Sequence, residues 1–137
     1  MNEKMKNSCD RLKSEINHIE DHLSQVGSQL KSAADTKLDT LDADLDKAKQ
    51  QLEIKREQAG DAVERVKDFI EEKTSDIIGK VEDWKLDHDI EKIEKQADKK
   101  EQQALDAIML AALSCMEAEV AIVEALKARR LALDVAG

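Results

Sequence analysis

Glu15, His18 and His22 come closest to a chemical site in this sequence. At i, i+3 and i+7 they put one carboxylate and two imidazoles on a single helical face. Helical bundles hold a pair of iron ions through two Glu-x-x-His halves and two further glutamates converging in the core. This chain has one Glu-x-x-His, so the second half would have to come from a second copy, with Glu119 or Glu117 as the extra carboxylates. The ligands would be oxygen and nitrogen. A simpler account is that the histidines lie at the edge of a half-wet helix. Glu119 points toward an apolar face, where desolvation penalises an unpaired charge, and would then pair with Lys13 or Arg11. We take the simpler account as the expectation: no metal, no cofactor and no catalytic residue, with Glu15, His18, His22 and Glu119 as the residues that would hold a metal if one bound.

The remaining reactive side chains fit packing better than chemistry. Met109 and Met116 sit seven apart on an apolar stripe, and Cys115 beside them behaves as a small hydrophobe. Cys9 and Cys115 have no CxxC or histidine partner spacing, which suits two free thiols in a reducing compartment. No GxSxG and no phosphate-cradling glycine loop occurs. Phe69 and Trp84 are the only aromatics and are expected to plug the corner of a helical hairpin. Lys127, Arg129 and Arg130 complement a helix dipole near its carboxyl end.

The elements carrying these residues follow from composition. Of 137 residues, 39% are charged and none is proline or tyrosine, so the β-branched and aromatic residues and turn formers that build sheets are scarce. The expectation is an all-α chain. Apolar residues recur every three or four positions through Leu12, Ile16, Ile19, Leu23, Val26, Leu30, Ala34, Leu38, Leu41, Leu45, Ala48 and Leu52, then through Ala59, Val63, Val66 and Ile70, and again at Ile77, Val81 and Trp84. From Leu30 the phase repeats at eleven, through Leu41, Leu52 and Val63, with Ala48, Ala59, Ile70 and Val81 as a second series; this suits helices that run nearly straight. So narrow a seam predicts a long antiparallel hairpin in a single all-helical domain, residues 1–137. Its first arm covers about 3–74, its turn about 74–79 around Lys73-Thr74-Ser75-Asp76 and Gly79, and its second arm about 80–136. Breaks at Gly27 and Gly60 would give three or four shorter helices instead.

The last third has two apolar faces. Leu105, Ile108, Met109, Ala112, Met116, Val123 and Leu126 form a stripe of large side chains expected to meet residues near 10–45, and Asp106, Glu117 and Glu124 form a narrow polar strip. Ala107, Ala111, Ser114, Ala118, Ala121, Ala125 and Ala128 keep an unbroken heptad of small residues, along which a second helix can approach closely. Nothing else in a hairpin is left to cover that seam. A homodimer is therefore expected, its C-terminal helices pairing into a four-helix bundle from which two-helix stalks project.

Charge narrows the partners. A net charge of −9 repels phosphate backbones, so nucleic acid is not expected. Residues 35–101 carry 14 basic and 21 acidic side chains, which makes the middle of the chain an acidic stalk able to engage another protein. Three glutamates within 107–126 make a membrane span unfavourable, and no secretory signal precedes the first helix; the expected location is cytoplasmic. The function expected is non-enzymatic: a dimeric coiled-coil spacer or scaffold. Over about residues 30–84 the eleven-residue repeat resembles that of exchangeable apolipoproteins and of desiccation-associated helical proteins. The resemblance implies an alternative, binding of lipid or hydrophobic surfaces, although the proline punctuation of the apolipoproteins is missing here. A dimeric, di-iron-like metal bundle is the third reading.

Overall fold

Ala, Leu, Glu, Lys and Gln are strong helix formers, and with no proline few positions force a helix to stop. The computed structural model describes residues 3–71 and 74–137, with the side chains of 74–78 outside that description, and all regular structure among the described residues is helical. Helix α1 spans Glu3–Ser32 and is followed by a 3-10 turn, Ala33–Asp35; α2 spans Leu38–Ala59, α3 Ala62–Glu71, α4 Thr74–Leu86 and α5 Ile90–Ala136. The all-α class expected from composition is the one adopted. Among the described residues, no helix is long and apolar enough to cross a membrane.

The 47-residue α5 is the spine, about 70 Å long at 1.5 Å per residue, and each of the other four α-helices packs on it. Ion pairs give the directions. Asp42 meets Lys127, Lys49 meets Glu124, Arg56 meets Glu117 and Arg65 meets Asp106, so α2 and α3 run antiparallel to α5. Lys4 meets Glu94, Arg11 meets Glu101 and His22 meets Glu119, so α1 runs parallel to it. The bundle therefore has three arms, up, down and up.

The long antiparallel hairpin is present as α2–α4 against α5, but its turn lies at 87–89. The expected turn at 74–79 falls within α4, and Lys73 lies outside the described residues. At the real reversal His88 takes the left-handed conformation, φ 54°, that glycine usually fills. The Asp89 N–H donates to Trp84 O at 2.8 Å, and the Asp89 carboxylate caps α5 by accepting from Lys92 N at 3.2 Å. A histidine in a glycine role leaves no punctuation to read. Trp84, half-buried in the last turn of α4, flanks this corner.

The first arm, expected to continue from 3 to 74, reverses once more at 33–37. Ser32 Oγ folds back on Ser28 O and Gln29 O, Thr36 Oγ1 donates to Ser32 O at 2.9 Å, and Arg130 Nη2 donates to Ala34 O at 2.6 Å. Side chains thus take over the carbonyls that a continuing helix would have satisfied. The two alanines inside this turn favour helix, so local propensity points the wrong way there.

Gly27 lies inside α1, whereas Gly60 separates α2 from α3. Gly60 has φ 49° and ψ −119°, a combination strained for any residue with a Cβ, and its N–H closes α2 on Arg56 O at 3.2 Å. An added methyl would meet no atom closer than 3.9 Å, so the penalty at Gly60 is backbone strain. Gly60→Ala is expected to lower stability by about 1–3 kcal/mol. Gly27→Ala, with open space around its Cβ, should raise it by about 0.5–1 kcal/mol. Urea denaturation of both variants checks the contrast.

The core is a thin seam. α2 buries Leu41, Leu45, Ala48, Leu52 and Ala59 at heptad spacing, and α5 answers with Leu113, around which Met109, Leu110, Met116 and Val120 pack. Past the break at Gly60 the seven-residue phase is kept, with Leu45, Leu52, Ala59 and Val66 forming one buried series and Leu41, Ala48 and Ala62 the other, and the eleven-residue phase fails. α3 buries Ala62 and Val66, while Val63 and Ile70, expected on the seam, are exposed; Ile77 lies outside the described side chains. From α1 only Val26 is fully buried.

Candidate functional site

The sequence candidates for a metal do not gather. His22 and Glu119 meet in the α1–α5 interface, Nε2 to Oε2 at 2.9 Å, with both side chains largely buried. No hydrogen bond of good geometry joins the two groups. Glu119 thus has the partner its burial demands, but the partner is His22. Arg11, expected as an alternative, instead pairs with Glu101 at 2.9 Å. Glu15 faces a separate cleft beside Arg11 and Asp10, and His18 is exposed on the rim of another beside Gln51 and Lys55. Among the described residues no group of three or more His, Cys, Asp or Glu side chains is placed to hold a metal ion.

The polar strip of α5 has a structural use. Asp106, 4% exposed, accepts from Arg65 Nε at 2.8 Å and Nη2 at 2.9 Å, a bidentate fork, and from Gln102 Nε2 at 3.1 Å. The Arg65 hydrogen bonds hold its carboxyl below the ordinary aspartate range against an opposing effect of burial, and the Gln102 bond adds to the lowering. Hydrogen bonding to Asp106 likewise raises Arg65, which stays charged throughout the accessible pH range. Farther along, Glu117 and Glu124 face Arg56 and Lys49 at 3.6 and 3.7 Å, and a hydrogen bond from Lys127 to Asp42 raises the lysine. These outer pairs are half-exposed and contribute little energy, but they fix which turn of α2 faces which turn of α5. Spacing alone revealed the strip; the cations opposite it were legible only once α2 and α3 were known to run antiparallel to α5.

Two clefts flank the Arg65–Asp106 pair. One, of about 610 Å³, opens between α1 and the α2–α3 junction over Ala59, Ala62, Leu105 and Met109, with Arg11 and Glu15 at its rim. The other, about 530 Å³, lies between α3 and α5 beside Phe69. Asp10, Arg11, Glu15, Arg65 and Asp106 line the first and Arg65, Asp68, Glu71, Lys99 and Asp106 the second, so both carry charges of either sign.

The large-side-chain stripe of α5 divides between its two neighbours. Met109 and Met116 pack with Leu52 and Leu113 of the core, as their spacing suggested, while Leu105 lines the cleft against α1. The small-residue seam is left over. Ala111, Ser114, Ala118, Ala121, Ala125 and Ala128 are all exposed, and Ala107 is half-buried. By helical phase they lie on the flank of α5 that neither α1 nor α2 covers.

Comparison with known proteins adds no assignment: no family model, no curated protein and no solved structure matches this chain.

Proposed function

We propose that the chain is a non-enzymatic structural protein of the cytoplasm, a dimeric helical spacer or scaffold whose acidic stalk engages another protein. One observation carries the reading: the alanine seam keeps three unbroken heptads along α5 and faces outward from 111 to 128 in the folded chain. A seam of that regularity on the outside of a bundle suits close helix–helix contact between copies. The stalk is the α3–α4 and early α5 hairpin, rich in acidic side chains and thin in cross-section. Protein association is favoured over lipid because the middle of the eleven-residue series, Leu41, Leu52, Ala48 and Ala59, is buried against α5.

Light scattering in line with size exclusion tests the dimer. The chain should elute with twice its 15.4 kDa mass, and Ala118→Glu with Ala121→Glu should return it to one chain with unchanged helical circular dichroism. A monomeric parent chain would remove the reading's main support. For the stalk, charge reversal over residues 80–100 should abolish pull-down of a cellular partner and leave the dimer intact.

A further inference from the structure

Little in the sequence between α1 and α2 tells a helix to stop. Residues 31–38 contain no glycine and no proline. Lys37, at the N-cap of α2, has a side chain that only donates, and no side chain caps that helix end. The apolar spacing runs straight through the turn as Val26, Leu30, Ala34, Leu38 and Leu41. At about 100° per residue, every seam position from Leu12 to Leu52 would fall within about 60° of one line on a single continuous helix. The reversal at 33–37 interrupts that line.

What holds the reversal closed is polar. Ser32 Oγ and Thr36 Oγ1 occupy carbonyls of the end of α1, and Arg130 Nη2 reaches Ala34 O from α5. Helix α1 is also lightly seated. Val26 alone among its side chains is fully buried, and Ile16, Leu23 and Leu30 are 45%, 51% and 47% exposed, whereas α2 buries five side chains.

We propose that residues 33–37 are a hinge: α1 and α2 straighten into one helix, and the freed α1 takes, on the α5 of a second copy, the place it holds on its own. The exchange keeps the α1–α5 contacts, now made between two chains. It also returns the N–H and C=O groups on either side of the turn to an unbroken helical ladder, at the cost of the Ser32, Thr36 and Arg130 hydrogen bonds. Helix directions fix the symmetry. Docked α1 runs parallel to α5 and α2 runs antiparallel to it, so a straightened α1 shares the direction of α2. The second copy is therefore inverted, with a two-fold axis crossing the helices at the two hinges. Closed monomer and exchanged dimer differ at the hinge, and chain concentration sets their ratio. The inference does not rest on the alanine seam of α5.

Two engineered cysteines report the exchange in the full chain. Ser8→Cys with Glu101→Cys, in a Cys9→Ser, Cys115→Ser background, replaces a 2.8 Å contact between α1 and α5, and a short bis-maleimide joins the two thiols. After refolding from urea at high chain concentration, joined chains should run on a denaturing gel at twice 15.4 kDa; after refolding at high dilution the link should lie within one chain. Lys37→Pro separates the two states. The φ of −77° at Lys37, after an extended Thr36 with ψ 129°, accepts proline in the turn, whereas proline inside a straight helix removes a hydrogen bond and clashes with the preceding turn. That variant should keep its helicity and lose inter-chain links about a hundredfold. Thr36→Ala with Arg130→Ala loosens the turn and should raise them about tenfold, a readout that needs no proline. Links confined to one chain at every concentration overturn the hinge, as do inter-chain links that persist in a folded Lys37→Pro chain. A particle of double mass whose links all lie within one chain keeps the alanine-seam dimer and removes the exchange. Inter-chain links that survive Ala118→Glu with Ala121→Glu keep the exchange without that seam.

Discussion

Leu113→Ala is expected to lower the free energy of unfolding by about 2–5 kcal/mol. Leu113 is 7% exposed and sits where α2 and α5 meet, against Leu52 and Ala59, with Met109, Leu110, Met116 and Val120 around it. A bundle of three arms has one layer of core at each level, so no second shell collapses into the space left by the lost side chain. Total stabilities of single domains run to about 5–15 kcal/mol, which makes this a large share. Chemical denaturation followed by circular dichroism measures it, with Leu133→Ala, at an exposed residue of the same helix, expected to stay within about 0.5 kcal/mol. A loss at Leu113 no larger than at Leu133 would mean that the α2–α5 cluster is not the core.

The second large effect belongs to Asp106. Asp106→Ala strands the hydrogen-bonding fork of Arg65 and the amide of Gln102, and is expected to cost about 1.5–3 kcal/mol. Replacing both partners with apolar residues, Arg65→Met with Asp106→Leu, should recover most of that loss, because the buried Asp106 carboxylate gives up in desolvation much of what it gains from its half-exposed arginine. The pair should therefore show strong coupling in a double-mutant cycle. Its pH dependence has a definite sign. Asp106 titrates lower in the folded chain than in the unfolded one, whose aspartates titrate at about 3.9. The stabilisation is complete above that value and is lost as pH falls through the lower, folded-state value, since the unfolded chain then binds the proton first. In Asp106→Ala that part of the acid sensitivity should disappear. An unchanged slope of stability against pH between about 5 and 2 would contradict the assignment.

Much of the architecture was legible before any coordinates. Helical content followed from the absence of proline and of sheet-forming residues, and the narrow seam from Leu38 to Ala59 correctly announced a helix with one main partner. The heptad of alanines and the polar strip of Asp106, Glu117 and Glu124 were visible as spacings, because both lie on one uninterrupted helix where a fixed angle per residue applies. The reversals were not legible. One uses His88 where glycine is usual, and the other places Ala33 and Ala34 in a turn closed by Arg130 from the far end of the chain. The eleven-residue phase count also failed beyond Gly60, because the buried positions keep a period of seven; Ala62 and Val66 went in while Val63 and Ile70 fell outside.

The partner of Glu119 shows the same division. Spacing placed the carboxylate on an apolar face and so required a partner for it, but choosing among His22, Arg11 and Lys13 needed the direction of α1, which the turn at 33–37 sets. By itself, then, the sequence determined what each helix offers: its faces, its charges and the demand that buried carboxylates be paired. Those properties depend on residues a few positions apart. Only the tertiary structure decided which faces meet, why α1 lies parallel to α5, and why one apolar row of α1 and the alanines of α5 are left outward, because those outcomes depend on where the chain turns and on contacts between residues some ninety positions apart.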